Sequence, residues 1–264
     1  MKTSLVWIIL IALTCPIIAK TERFEAADSE GVTATRDGRS IYMAVDADVK
    51  SPIKIPRLTA PLASMVWQGG VADDGISLKP EQDHWVISWK SRPAGDATLV
   101  LRFGSEPLLL EERKPIKRSA DGSFYLPAHL AKTSGEQIRY EPQPFKNTVG
   151  FWTGEGDTAG WVIALDKPGR FNVAILQGCG KGQGGSTAMI GFWRPGFRAE
   201  EGTLRFEVEE TGHFQNFKWR HLGEIELTGP GEVQISVLPE QIKKAALMDI
   251  RAIHLIRLPN TAKK

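Results

Sequence analysis

Residues 203–209 read TLRFEVE, and this short stretch indicates the class of the fold. Leu204, Phe206 and Val208 alternate with polar or charged side chains, so that every second residue is apolar. A strand places successive side chains on opposite faces of a sheet, and an antiparallel sheet often buries only one of those faces. The stretch therefore predicts a strand with one buried side and one solvent-facing side.

The same alternation recurs along most of the chain. It is found over Ile41–Val45, Trp85–Trp89, Leu99–Phe103, Phe171–Ile175 and Val233–Val237, with turn-forming residues between the runs. No amphipathic pattern of three helical turns interrupts them. We predict an all-β fold with two antiparallel β-sandwich domains, of which the second is a jelly roll.

A charged stretch divides the predicted strands into two groups. Residues 111–118 read EERKPIKR, in which a proline interrupts the charges. Such a stretch is typical of a solvated connection between domains. We predict the first sandwich over residues 30–108, a linker over 109–137 and the jelly roll over 138–259.

The first residues have the features of an export signal. Lys2 precedes the apolar run LVWIILIAL over residues 5–13, and Ala19 follows as a small residue at a cleavage position. We predict a signal peptide over 1–19, with lipidation at Cys15 as the alternative to cleavage after Ala19. The run is shorter than the ~20 residues that cross a bilayer, so we expect a secreted protein, periplasmic or extracellular, without a membrane span in the mature chain.

Composition and length exclude several classes of function. The net charge of +2 provides no basic stripe for nucleic acid, which is not an expected partner. The 264 residues cannot hold a catalytic (β/α)8 barrel, which takes about 250, together with accessory domains.

After signal removal Cys179 is the remaining cysteine, so an intrachain disulfide is not expected. The thiol is either a small buried apolar group, which we favour, or exposed.

A glycine-rich stretch, GCGKGQGGS over residues 178–186, is the most conspicuous local motif. As a phosphate loop it lacks the Ser or Thr after Lys181, and as a dinucleotide fingerprint it lacks the following helix. We interpret it as a hairpin between two strands, in which backbones approach closely or need positive φ.

Aromatic residues are a stronger functional signal than catalytic motifs. The five histidines have no metal-ligand spacing, and neither GxSxG nor HExxH occurs, so no catalytic residue is assigned. Three tryptophans lie within the alternating runs, which predicts that they pack in the core: Trp85, Trp89 and Trp161. Aromatic faces beside amide and guanidinium groups suit sugar rings, and the candidate ligand contacts are Trp152, Phe214, Gln215, Asn216, Trp219 and Arg220.

The first predicted domain resembles a domain of known enzymes. The strings GVTATRDGRSIYMAVDA (31–47), IKIPRL (53–58), SMVWQGG (64–70) and ATLVLRFG (97–104) resemble the C-terminal β-sandwich of bacterial α-L-fucosidases over about 31–106. In that family the sandwich follows a catalytic barrel. The barrel is absent from this sequence, so the resemblance implies none of its catalytic residues here.

The second predicted domain, over about 138–258, is similar to a jelly-roll module attached to secreted fucosidases and sulfatases. The matching strings are NTVGFWT (147–153), ILQGCGKGQGGS (175–186), TGHFQNF (211–217) and LMDIRAIHL (247–255). A more distant resemblance is to carbohydrate-binding modules of families six and thirty-five, in which Phe214 and Phe217 would help to line the ligand cleft. That resemblance implies Asp249 as a ligand of a structural calcium, while Leu247 stands where those modules have a ligand-binding Asn.

These observations support one hypothesis and leave two alternatives. The leading hypothesis is a secreted, non-catalytic carbohydrate-recognition or accessory protein associated with polysaccharide degradation. Its partner would be a glycan, and an anionic one would pair with Arg220. The alternatives are a fucosidase-like glycoside hydrolase remnant or subunit working in trans, and a structural envelope protein that binds a protein partner.

Overall fold

The computed structural model describes residues 22–24, 29–70, 75–195 and 200–259. The predicted signal peptide over 1–19, including Cys15 and Ala19, lies outside these ranges. The first eight strands are β1 (Glu22–Phe24), β2 (Val32–Asp37), β3 (Ser40–Val45), β4 (Ile53–Pro56), β5 (Leu62–Trp67), β6 (Ile76–Pro80), β7 (His84–Trp89) and β8 (Ala97–Phe103). The strands that follow are β9 (Phe124–Pro127), β10 (Lys132–Ser134), β11 (Arg139–Glu141), β12 (Thr148–Gly150), β13 (Thr158–Leu165), β14 (Gly169–Cys179), β15 (Thr187–Trp193), β16 (Glu200–Glu207), β17 (His213–Leu227), β18 (Gly231–Gln241) and β19 (Asp249–Arg257).

These strands form four antiparallel sheets, which confirms the predicted all-β fold class. A five-stranded sheet in the order β1-β2-β3-β8-β5 and a three-stranded sheet, β4-β7-β6, make up the first half. In the second half one sheet has the order β10-β13-β18-β15-β16, and its partner has the order β11-β12-β19-β14-β17. One short 3-10 turn, Ala128–Leu130, is the helical element of the described residues, where no helix is long and apolar enough to cross a membrane.

Alternating side chains build the core as the sequence pattern predicts. In β13 every second residue is buried, and its Trp161 is fully enclosed between the sheets of the second half. In β3 the buried side chains are Ile41, Met43 and Val45. Burial of large apolar side chains is the main stabilising contribution, at about 1.5–3 kcal/mol for each.

Part of the predicted linker belongs to the second half. Strand β9 pairs with β19 and strand β10 pairs with β13, so residues 124–134 extend both sheets of that half. Each strand is too short to show a clear period of two, which is why the sequence pattern did not reveal it. The division of the chain into domains otherwise remains a prediction.

The glycine-rich stretch is not a hairpin, because β14 and β15 lie in different sheets. It carries the chain from one sheet to the other. The predicted close backbone approach does occur: a Cβ built on Gly178 would lie 1.9 Å from the carbonyl oxygen of Phe214. The neighbouring Cys179 is buried, as favoured above, and burial raises the pKa of its thiol to about 11.

The two halves are in direct contact through a buried arginine. The Arg57 guanidinium lies 5.2 Å from the centre of the Tyr140 ring, and Tyr140 in turn packs against Trp85 at 6.4 Å. The backbone N–H of Leu62 donates to the carbonyl of Pro142 at 2.9 Å. Arg57 is 1% exposed between the halves, and this burial lowers the pKa of its guanidinium to about 10.

Candidate functional site

A pocket of about 210 Å3 opens at one end of the second half, and we call it the acidic pocket. Strands β11, β17 and β19 and the loops beside them supply its side chains from positions that are distant in sequence. Its lining consists of Glu141, Lys146, Phe151, Thr153, Phe214, Gln215, Ala246 and Asp249.

Two phenylalanine rings form the apolar walls of the acidic pocket. Phe214 is the second residue of β17, and its ring packs on the glycine-rich stretch. A Cβ built on Gly180 would lie 2.7 Å from that ring. Phe151 follows β12 with φ of +59°, a left-handed conformation that is uncommon for a bulky residue. Its ring is 38% exposed and carries the Arg139 guanidinium at 3.3 Å from the ring centre. The guanidinium covers one face of the Phe151 ring, and the remaining surface of both rings is apolar and lies beside polar groups.

The loop that carries Phe151 is held in place by Asp157. This fully buried carboxylate accepts hydrogen bonds from the backbone N–H groups of Thr153 and Gly154, both at 3.0 Å. It also accepts one from the N–H of Glu136 at 2.8 Å, ahead of β11. Charge-assisted bonds of this kind are stronger than neutral ones, so Asp157 ties the loop after β12 to the segment that precedes β11.

Two buried carboxyl groups lie at the base of the pocket. Glu141 is 3% exposed and Asp249 is 6% exposed. Both face Gly150, because a Cβ there would lie 2.7 Å from Asp249 Oδ1 and 3.1 Å from Glu141 Oε2. Burial, and then the neighbouring Glu141, raise the pKa of Asp249 to about 8. Asp249 therefore keeps its proton at neutral pH.

A cation and an amide complete the polar side of the pocket. The Lys146 ammonium forms an ion pair with Glu141, and the side chain of Gln215 hydrogen-bonds Asp249. Protonated carboxyl, ammonium and amide groups donate hydrogen bonds, and the amide and carboxyl oxygens accept them. The pocket can thus donate hydrogen bonds to the hydroxyl groups of a ligand and accept hydrogen bonds from them.

The residues around Asp249 do not fit the calcium that the family resemblance implies. Calcium takes six to eight oxygen ligands, whereas two carboxyl groups converge here and Lys146 already neutralises one of them. Over the described ranges no group of three or more His, Cys, Asp or Glu residues could hold a metal ion. Asp249 is better described as a buried hydrogen-bonding group.

Two of the predicted contact residues serve the fold rather than the pocket. The prediction for Trp152 is wrong: its side chain is fully buried, because the left-handed Phe151 reverses the alternation and turns the next side chain inward. The Asn216 side chain is bonded to the carbonyl of Thr211, which closes the turn before β17. Phe214 and Gln215, by contrast, do line the pocket with Asp249.

The other two predicted contacts lie away from the pocket. Trp219 is 45% exposed on the outer side of β17. The Arg220 guanidinium is held by the carbonyl of Glu207 at 2.7 Å, by Gln177 Oε1 at 3.2 Å and by the Glu209 carboxylate at 2.5 Å. These three contacts engage both terminal nitrogens of Arg220 within the protein, which disfavours the predicted pairing with an anionic glycan.

Sequence reasoning did not select Glu141, Lys146 or Phe151. Glu141 ends a three-residue strand, Lys146 lies in a loop, and neither has a neighbouring motif that marks it. Phe151 was visible as an aromatic residue beside Trp152. A pattern of period two could not show which of the adjacent rings points outward, because that depends on one backbone angle.

No protein-family model and no curated protein matches the sequence. Among solved structures, the chain is similar to the α-L-fucosidase from Vibrio sp. strain EJY3 at 12% identity and a TM-score of 0.35, with 89% of this chain and 41% of the fucosidase covered. It is similar to the CBM35 of Cellvibrio japonicus Abf62 at 14% identity and a TM-score of 0.39, covering 53% of this chain and 94% of that one. A family 6 carbohydrate-binding module has 16% identity, a TM-score of 0.39 and coverage of 55% and 100%.

The chain therefore spans less than half of the fucosidase that it matches. With TM-scores below 0.5, these similarities do not assign a function to the protein. The function has to be inferred from the groups in the acidic pocket.

Proposed function

We propose that the protein is a secreted, non-catalytic carbohydrate-recognition protein, accessory to polysaccharide degradation, and that the acidic pocket binds the sugar. One observation carries the proposal: the rings of Phe151 and Phe214 and the polar groups of Gln215 and Asp249 line one pocket. A pyranose has apolar C–H faces and a rim of hydroxyl groups, so it requires this combination of surfaces. Secretion rests on the predicted signal over 1–19.

The size and charge of the pocket narrow the ligand class. Its volume of about 210 Å3 is below the ~300–1,000 Å3 of common small-molecule pockets, which favours one terminal sugar over a bound polymer. Asp249 keeps its proton and Glu141 is paired with Lys146. Lys146, the one cation among the lining residues, is thus already paired, and the nearby Arg139 guanidinium is stacked on the Phe151 ring, so we propose a neutral sugar.

We expect Phe214→Ala to weaken sugar binding about tenfold, because an aromatic ring that stacks on a ligand contributes ~1 kcal/mol or more beyond its area. Binding is measured on an array of neutral and anionic oligosaccharides and then by calorimetry with the best ligand. Tyr42→Ala is the matched control, since Tyr42 is an exposed ring on β3 in the other half. Retention of no oligosaccharide by the wild-type protein, or equal losses in both variants, would contradict the proposal.

Glycoside hydrolysis is a second candidate function, favoured by the carboxyl pair. Glu141 and Asp249 approach the same Cβ position on Gly150, and a protonated acid beside a second carboxyl is the arrangement that many glycosidases use. The test is incubation with aryl glycosides, including an aryl fucoside. Turnover that Asp249→Asn abolishes would establish an enzyme, whereas binding without turnover supports the accessory protein.

A further inference from the structure

A second group of rings lies on the outer side of the sheet that contains β19, β14 and β17. Tyr125 on β9 pairs with His254, His254 pairs with Ala174, and Ala174 pairs with His221. A second, parallel row lies two residues away on each of the same strands. It consists of Pro127, Ala252, Leu176 and Trp219. Because residues two apart share a face, these eight side chains form one surface, which we call the aromatic face.

The rings of the aromatic face are close to one another and open to solvent. Tyr125 is 44% exposed and Trp219 is 45% exposed. The His254 ring lies between them, with its centre 5.9 Å from that of Tyr125 and 6.2 Å from that of Trp219. These contacts join the rings into a continuous strip across four strands.

Small side chains lie beneath the strip, whose rings are tilted to one another: the His254 plane makes an angle of 74° with that of Tyr125 and 52° with that of Trp219. Ala174 and Ala252 occupy the floor of the two rows and are themselves buried, so that the larger rings cover them. His221 stands at the β17 side, where its Nδ1 lies 2.9 Å from Asn172 Oδ1. The eight residues include no Asp, Glu, Lys or Arg.

The chemistry of the face favours a sugar polymer over an apolar protein surface. The buried core of a protein–protein interface is mostly apolar and is rich in Tyr, Trp and Phe. Here each apolar ring carries a polar atom at its rim: the Tyr125 hydroxyl, the Trp219 indole N–H and the imidazole nitrogens. An extended neutral polysaccharide offers alternating C–H faces and hydroxyl groups to such a strip.

We propose that the aromatic face is a second, separate binding surface, which takes the side of an extended neutral polysaccharide by ring stacking. The acidic pocket and the face use the same two strands: Phe214 and Trp219 are five residues apart on β17, and Asp249 and His254 are five apart on β19. At ~3.3 Å per residue this spacing is about 16 Å along each strand. The proposal shares its ligand class with the proposed function and adds a site for internal chain segments.

The test compares the full-length protein with Trp219→Ala/Tyr125→Ala, Phe214→Ala and Tyr42→Ala. The probes are microcrystalline cellulose and insoluble mannan for the face, and soluble neutral oligosaccharides for the pocket. We expect the double variant to lose about tenfold or more in affinity for at least one insoluble polymer, with soluble oligosaccharide binding unchanged. Phe214→Ala should show the opposite pattern, and Tyr42→Ala should bind as the wild type.

Two readouts keep folding effects and the two proposals distinct. Thermal unfolding is measured for each variant, and in the wild type soluble glucomannan should reduce acrylamide quenching of the exposed Trp219. Retention of polymers by the double variant at wild-type affinity, together with unchanged quenching, would overturn the aromatic face. If the protein binds a polymer but no oligosaccharide, the proposed sugar site in the acidic pocket is contradicted and the proposed surface on the aromatic face is supported. Capture of a protein partner that Trp219→Ala/Tyr125→Ala abolishes, without polymer binding, would also overturn the proposal.

Discussion

Gly178→Ala is expected to lower the free energy of unfolding by about 3 kcal/mol, a large effect for one added methyl group. A Cβ at this position would lie 1.9 Å from the carbonyl oxygen of Phe214 and 2.7 Å from its carbonyl carbon. Both are backbone atoms. They cannot rotate away, because Cys179 pairs with His213 beside them and its N–H donates to Thr211 Oγ1 at 2.8 Å.

The measurement is urea unfolding of Gly178→Ala beside Gly156→Ala. Gly156 has no atom within 4 Å of a built Cβ and has no positive φ, so its substitution is the matched control and should change stability by less than about 1 kcal/mol. Since the clash falls on Phe214, Gly178→Ala should also weaken binding in the acidic pocket. Equal stability of the two variants would show that β17 does not approach the glycine-rich stretch as closely as described.

Asp249→Asn is expected to stabilise the protein by on the order of 3 kcal/mol more at pH 8 than at pH 5. In the unfolded chain the Asp carboxyl loses its proton near pH 4. In the folded protein its pKa is raised to about 8. Between these values the folded state binds more protons, so this group makes the wild type less stable as the pH rises.

The measurement is the free energy of unfolding at pH values from 5 to 8 for both proteins. Other titrating groups are shared, so the difference between variant and wild type isolates Asp249, and this difference should grow with pH. Glu224→Gln removes an exposed carboxylate that pairs with Arg170, and its difference should stay constant. A pH-independent difference for Asp249→Asn would mean that Asp249 is ionised in the folded protein at neutral pH.

Much of the fold could be predicted from local patterns. Strands such as β3 and β13 alternate between buried and more open side chains over their length, and that period is a property of the strand itself. The short strands β9 and β10 escaped prediction because their pairing partners, rather than their own residues, make them strands. The hairpin expected for residues 178–186 was wrong for a related reason: glycines permit close approach, but they do not specify which sheet the chain enters next.

The candidate site was predictable only in part. Phe214, Gln215 and Asp249 were selected from sequence and lie in one pocket. Trp219, from the same set, lies on the aromatic face. Trp152 is buried in the core, and the Arg220 guanidinium donates hydrogen bonds within the protein. Residue types that suit sugars are visible in a sequence, but solvent access and free hydrogen-bonding capacity are properties of the folded surface.

The sequence by itself determined that the protein is built from antiparallel strands, because alternation of apolar and polar residues requires one buried face and one open face. Only the tertiary structure decided the pairing of Glu141 with Asp249 beside Gly150, the outward position of Phe151 and the separation of the acidic pocket from the aromatic face. The physical reason is that these features depend on strand register, on shifts within the β14 pairings and on one left-handed residue. Each of these changes which side chains meet without changing the local pattern that the sequence displays.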